Sequence, residues 1–215
     1  MAGIVVAIEE KRFPGASAHQ SKLVLQDVSF RMRAGEFVAI VGPSGCGKTT
    51  LLNIVAGLDR DFVGRIDLGF GPAAPRIGYV FQNARLLPWR TVRDNIALVL
   101  PKHGDSRAVD AMLREVGLFE ARDVFASRLS VGMSRRAAIA RALVIEPDLL
   151  LMDEPFVSLD EAMAERLRQM LLDVLRAHPT SVLFVTHDVR EAALLADRVL
   201  LLSPAPGRLI ADVPI

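Results

Sequence analysis

Gly42, Pro43, Ser44, Gly45, Cys46, Gly47, Lys48 and Thr49 follow one another in the pattern G-x-x-x-x-G-K-[ST]. The chemistry such a run can do is to cradle phosphate. Glycines lack a Cβ, so backbone N–H groups can turn inward on an anion. A helix starting at the end of the run adds the partial positive charge of its N-terminus. In such loops the lysine, here Lys48, reaches the β- and γ-phosphates, and the hydroxyl, here Thr49, helps to hold magnesium. Cys46 inside the run is read as a small space-filler.

A second group carries carboxylates. LLLMDEP places Asp153 and Glu154 at the end of an apolar run. If that run is a buried parallel strand, its carboxyl end is where ligands bind. Asp153 suits the magnesium side of a phosphoryl-transfer site. Glu154 suits the orientation or deprotonation of an attacking water. Two solvated acids before Pro155 are the bland alternative, and the phosphate loop favours the functional reading. RIGYVFQ and SVLFVTHD are further strand-like runs, ending at Gln82 and His187. Each is ordinary alone. Their convergence on one rim would make a site.

The elements that position these residues follow from pattern. FVAIVG enters the loop as a strand, and GKTTLLNIVAG leaves it as a helix with Leu51, Leu52 and Val55 on one side and Gly57 as its stop. IVVAIEE and KLVLQDVSFRMRAGEFVAIVG read as strands, with Ala34-Gly35 as a turn. From Thr91 to about Arg122 the spacing becomes helical, through TVRDNIALVL and DSRAVDAMLREVGL, with Asp105 or Ser106 as a cap. Thereafter apolar strands alternate with helices, ending in a strand pair around PAPG. Such alternation implies a parallel sheet covered on both faces.

Composition sets bounds. The 215 residues suffice for one good core or two small lobes. Lys plus Arg number 26 and Asp plus Glu 25, so no basic excess favours nucleic acid. No apolar run reaches the roughly 18–20 residues that span a bilayer. MAGIVVAIEEKRF reads as a first strand rather than a secretion signal. The single cysteine cannot form an internal disulfide, which points to a reducing cytosol.

Across essentially its whole length the chain resembles the nucleotide-binding subunits of ABC transporters. GPSGCGKTT, through Thr50, looks like the Walker A loop, and LLLMDEP looks like Walker B followed by the catalytic glutamate. Gln82 matches the Q-loop, which touches the transmembrane partner and senses magnesium and the γ-phosphate. Asp160 in FVSLD matches the D-loop, and His187 the switch histidine. LSVGM, with Ser130, Val131, Gly132 and Met133, resembles the ABC signature, usually LSGGQ or LSGGM. An aromatic residue normally stacks on adenine near the end of the first strand. Phe13 is the candidate, with Phe30 or no such residue as alternatives.

The resemblance implies an α/β P-loop core of mostly parallel sheet, an N-terminal antiparallel β subdomain and an inserted α-helical subdomain. It implies one ABC ATPase domain over 1–215, with the core at about 1–90 and 145–215 and the signature-bearing helical part at about 91–144. The implied ligands are ATP and Mg²⁺. The implied partners are a second ATPase subunit, in a homodimer or heterodimer, transmembrane permease subunits and, indirectly, an external solute-binding protein. Nucleic acid is not among them. The implied place is peripheral, on the cytoplasmic face of the cell membrane. LLPW and the ending SPAPGRLIADVPI look like importers of nitrate, sulfonate, taurine and bicarbonate, with Trp89 near the permease-facing surface or else in the core. The further basic segment or regulatory domain of some importers is not expected. A soluble ABC ATPase and an ATP-dependent dimerisation module with weak hydrolysis are the rival readings. A kinase or GTPase would need neither LSVGM nor His187.

Two positions depart from the family pattern. Val131 stands where the first signature glycine is usual, and Arg135 where glutamine is common. A β-branched residue resists strained dihedrals. The expectation is a penalty of about 1–3 kcal/mol if the site requires them, and slower closure or hydrolysis.

Overall fold

The computed structural model describes residues 3–15, 21–69, 74–101 and 105–215. They form two compact units, Met1–Pro75 with Leu151–Asp153 and Ser181–Ile215, and Arg76–Leu150 with Glu154–Thr180.

In the first unit, β1 (Gly3–Phe13) pairs antiparallel with both β2 (Lys22–Arg33) and β4 (Val63–Asp67). Every second residue of β1 from Ile4 to Ile8 is buried, which is the period of a half-covered strand. The strand β4 was not evident from sequence: it is short, largely exposed and contains Gly64.

The same unit holds β3 (Phe37–Val41) parallel to β7 (Ser181–Thr186) on one side and to β8 (Arg198–Leu202) on the other. The end of β6 (Leu149–Asp153) lies beyond β7, and β9 (Leu209–Pro214) closes the opposite edge antiparallel to β8. All five residues of β3 and all six of β7 are buried, because helices cover them: α1 (Lys48–Val55) packs on β7, and α6 (Val189–Leu195) on β3 and β7. The expected fold class therefore holds, with an antiparallel N-terminal sheet and a second sheet that is mostly parallel.

The second unit holds β5 (Ile77–Val80), beside the start of β6, and four helices: α2 (Val92–Ala97), α3 (Ser106–Glu115), α4 (Val131–Leu143) and α5 (Glu161–Ala177). Helix α5 buries Ala164, Leu167, Leu171 and Val174, one face at helical spacing. Helix α4 packs against α2, α3 and α5 and buries residues all round, which explains its alanines. Asp105 caps α3, so of the two residues proposed for that role it is the one used. Thr91 and Asp94 form a capping box on α2, each side chain bonding the other's backbone N–H.

Candidate active site

Strand β3 delivers the chain into the glycine-rich loop after Val41. Gly47 then takes φ 105°, a value open to glycine alone at little cost, and serves as the N-cap of α1. A Cβ at Gly47 would lie 2.7 Å from Leu25 Cδ2 and 3.2 Å from the Val24 carbonyl, so β2 presses the loop into place. No side chain caps α1, and no acid lies in its first turn. Its leading N–H groups therefore point at whatever fills the loop. Cys46 is 1% exposed, with Sγ tucked towards Gly42, which is the space-filling role expected of it.

Lys48 is 5% exposed, and its ammonium donates to the carbonyls of Gly42 (2.9 Å) and Pro43 (3.1 Å). The cation is thus held over the loop. Thr49 Oγ1 lies 2.9 and 3.1 Å from the two carboxylate oxygens of Asp153, to which it donates. Asp153 is 4% exposed at the end of β6. Among the described residues no group of three or more His, Cys, Asp or Glu could hold a metal unaided. One buried carboxylate beside one hydroxyl, both oxygen donors, suits magnesium, which takes few protein ligands and completes its shell from phosphate and water.

Thr186 pairs with Val41, so His187 follows a strand that ends level with the start of the phosphate loop. Thr186 donates to Glu191 (2.6 Å) and accepts from the Asp188 N–H (3.0 Å), and Asp188 caps α6. These bonds fix the turn that presents His187. Phe13 ends β1 opposite Lys22, two residues from the Val24–Leu25 pair that presses on Gly47. It is 41% exposed, whereas Phe30 is buried at 6% and cannot stack on a base.

The second unit holds the other expected residues. Glu154 has φ 45°, a strained value of the kind that collects at functional turns. Gln82 follows β5 and is exposed. The loop after it is pinned by Arg141, which donates to the Ala84 (2.7 Å) and Arg85 (2.8 Å) carbonyls. Asp160 caps α5 through the Met163 N–H at 3.0 Å. Ser130 caps α4, its Oγ accepting from the Met133 N–H at 3.2 Å. Trp89 is 68% exposed, which rules out the core alternative considered for it.

One expectation needs correction. Val131 is the first residue of α4, in helical conformation, and is not among the residues of positive φ. No strained dihedral is asked of it, so the strain penalty does not apply. What remains is bulk, an isopropyl group 60% exposed at the helix N-terminus. Gly132 is the tight position, since a Cβ there would come within 2.8 Å of Met163 Sδ. Arg135 is 7% exposed, its Nη1 finds no partner among the described residues, and burial holds its guanidinium below the usual arginine range.

Sequence reasoning missed one buttress. Gly207, in the turn between β8 and β9, bonds through its N–H and carbonyl to Val24 and Gln26 (2.9 and 3.0 Å). A Cβ at Gly207 would lie 2.2 Å from the carbonyl of Cys46. The PAPG turn thus backs the phosphate loop, and only its nearness to Cys46, far earlier in the chain, reveals this.

The family model described as ABC transporter matches residues 25–157, more than half of the chain. The chain belongs to that family. Aliphatic sulfonates import ATP-binding protein SsuB 2 of Burkholderia lata is 49% identical, over 89% of this chain and 72% of that protein. Taurine import ATP-binding protein TauB of Yersinia pestis bv. Antiqua is 46% identical, over 89% and 78%. The ATP-binding cassette MJ0796, dimeric and bound to ADP and Pi after hydrolysis, superposes with a TM-score of 0.81 at 26% identity, over 99% of this chain and 98% of that one. As an ABC transporter cassette this chain is an ATPase. No helix among its described residues is long and apolar enough to cross a membrane.

Proposed function

We propose that this ABC cassette binds and hydrolyses ATP to drive import of a small sulfonate-type anion through a separate permease, from the cytoplasmic face of the membrane. The observation that carries the chemistry is the Thr49 hydroxyl against the buried Asp153 carboxylate, beside a helix N-terminus that no side chain caps. The sulfonate and taurine importers among its relatives support the substrate class.

In this reading the loop from Gly42 to Thr50 takes the triphosphate, its N–H groups and Lys48 offsetting the charge. Thr49 and Asp153 would hold Mg²⁺, with Gln82 joining them as in the family, and the ion would supply neutralisation of the charge on the phosphates. Phe13 stacks on the base. Glu154, the residue after Asp153, accepts a hydrogen bond from the attacking water and aligns it with the γ-phosphorus. His187 donates to a γ-phosphate oxygen. The protein supplies position and electrostatics, which is most of what phosphoryl transfer requires.

The signature belongs to the other half of a two-fold dimer. Every α-helix among the described residues except α1 and α4 has an acid at its cap or in its first turn. An acid there would repel phosphate, so these two N-termini are the ones left open to an anion. We assign the phosphates to α1 of one copy and to α4, with Ser130, Val131, Gly132 and Met133, of the other. Asp160 lies along the same seam. Loss of the cleaved phosphate removes the bridging charge and parts the dimer. The core lobe is assigned to about 1–90 and 145–215, and the helical lobe to about 91–144. A groove of about 380 Å³ lined by Tyr79, Phe81 and Arg85, around Gln82, and by Leu98 and Arg141 supports permease docking there.

The test is reconstitution in vesicles with the cognate permease and solute-binding protein. Phosphate release and uptake of labelled taurine or an alkanesulfonate should rise together when solute is supplied. Hydrolysis indifferent to any permease would overturn the transport reading, and uptake of another solute class would overturn the substrate alone.

A further inference from the structure

The end of β1 carries a lysine that the reaction described above does not use. Lys11 is 2% exposed, among the most buried large side chains of the protein. Its ammonium donates to Asp59 Oδ1 at 2.9 Å and to the carbonyl of Asp61, and lies 3.4 Å from Asp61 Oδ2. Lysine is rarely interred so completely unless it is paired. The same nitrogen sits 4.7 Å from the centre of the Phe13 ring, within cation–π range.

These contacts tie two things together. Asp59 and Asp61 follow α1, and the Asp59 N–H bonds back to the Asn53 carbonyl inside that helix at 3.1 Å. The helix begins at Lys48, in the phosphate loop. Lys11 therefore joins the strand bearing Phe13 to the helix bearing the phosphate ligands. One face of the ring lies over the ammonium, yet the residue stays 41% exposed, so the ring has surface left to offer. An exposed aromatic ring at the end of a strand has more than one staggered χ1 rotamer open to it unless something selects one. Here a buried cation does.

We infer that Lys11 is a positioning residue for base recognition, holding the Phe13 ring at a set distance and tilt from the phosphate loop. The inference rests on the reading of Phe13 as the stacking residue. It concerns adenine and leaves the phosphates untouched, and that asymmetry makes it testable.

The experiment is calorimetric titration of the full chain with ATP and, separately, with inorganic triphosphate, both in magnesium. Phe13→Ala should weaken ATP roughly tenfold, the size of one base–aromatic stack, and leave triphosphate unchanged. Lys11→Met, close in volume, should weaken ATP about threefold to tenfold and also spare triphosphate. The double variant should bind ATP no more weakly than Phe13→Ala alone, since both changes remove one stack. If Phe13→Ala keeps full ATP affinity, the stacking reading fails and the role of Lys11 falls with it. If Phe13→Ala does weaken ATP, the inference alone is overturned by either of two results: Lys11→Met leaves ATP unaffected, or it weakens ATP and triphosphate equally. Should Lys11→Met fail to fold, Asp59→Ala removes one anchor of the ammonium and leaves the Asp61 contacts in place. It should show the same selective loss in smaller measure, and a wild-type ratio of the two affinities would count against the inference.

Discussion

Among the described residues two α-helix N-termini, those of α1 and α4, are left without acids, and they are built in opposite ways. Helix α1 starts from Gly47 in a left-handed conformation, with no side-chain cap and with Lys48 and Thr49 as its first residues. Helix α4 starts from Ser130 in extended conformation, with its own hydroxyl satisfying the Met133 N–H. The first is incomplete without a ligand: its donors need an anion, and glycine packing against β2 and the PAPG turn holds it ready. The second already satisfies one of its leading donors from its own side chain and keeps the others for an anion. In the function proposed above, α1 would bind nucleotide first and α4 would dock and release, and the difference in build suits those two tasks.

Four changes would break or sharpen that contrast. Lys48→Met removes the one cation held inside the first N-terminus. Phosphate release should fall by about a hundredfold or more, and a loss under tenfold would mean the loop is not the phosphate seat. Ser130→Asp keeps a good cap, so the melting temperature should be unchanged, but it places a charge where the partner's phosphate is expected. Sedimentation should show ATP-dependent dimers of the wild type lost in this variant, with ATP affinity of the single chain intact. Dimers that persist would refute the assignment of α4. Gly207→Ala forces a methyl against the Cys46 carbonyl, and overpacking of this kind costs about 1–3 kcal/mol. The KM for ATP should rise more than kcat falls, because the damage lies under the phosphate loop.

Val131→Gly carries the smallest effect. With no strained dihedral to relieve, any gain comes from removing bulk, and glycine in the first turn costs about 1 kcal/mol of helix stability. ATPase of the assembled complex should rise a few-fold while the melting temperature drops slightly. An unchanged or lower rate would show that the isopropyl group obstructs nothing.

Much of the site was legible because its residues are neighbours in sequence. The phosphate loop is a single run, and a run needs no fold to be read. Asp153 was legible through the apolar strand before it, Ser130 through its capping position, and Asp105 and Ser106 were both offered where the structure uses Asp105. Strand β4 was not legible, because an exposed edge segment with a glycine has no alternation to show. Lys11 was not either: a lysine among Glu9, Glu10 and Arg12 reads as solvated, and its partners lie 48 and 50 residues on. Val131 was misjudged in conformation because a glycine in a motif suggests unusual dihedrals, whereas here the helix has already begun.

The amino-acid order alone marked the glycine-rich run, the apolar strands that are buried and the caps of α3 and α4, since each depends on contacts within a few residues. Tertiary structure alone decided that Thr49 meets Asp153 across 104 positions, that Gly207 backs the loop at Cys46, and that a buried ammonium lies against Phe13. Those pairings join segments that are distant along the chain, and only the closing of the sheet and its helices brings them within reach of a hydrogen bond.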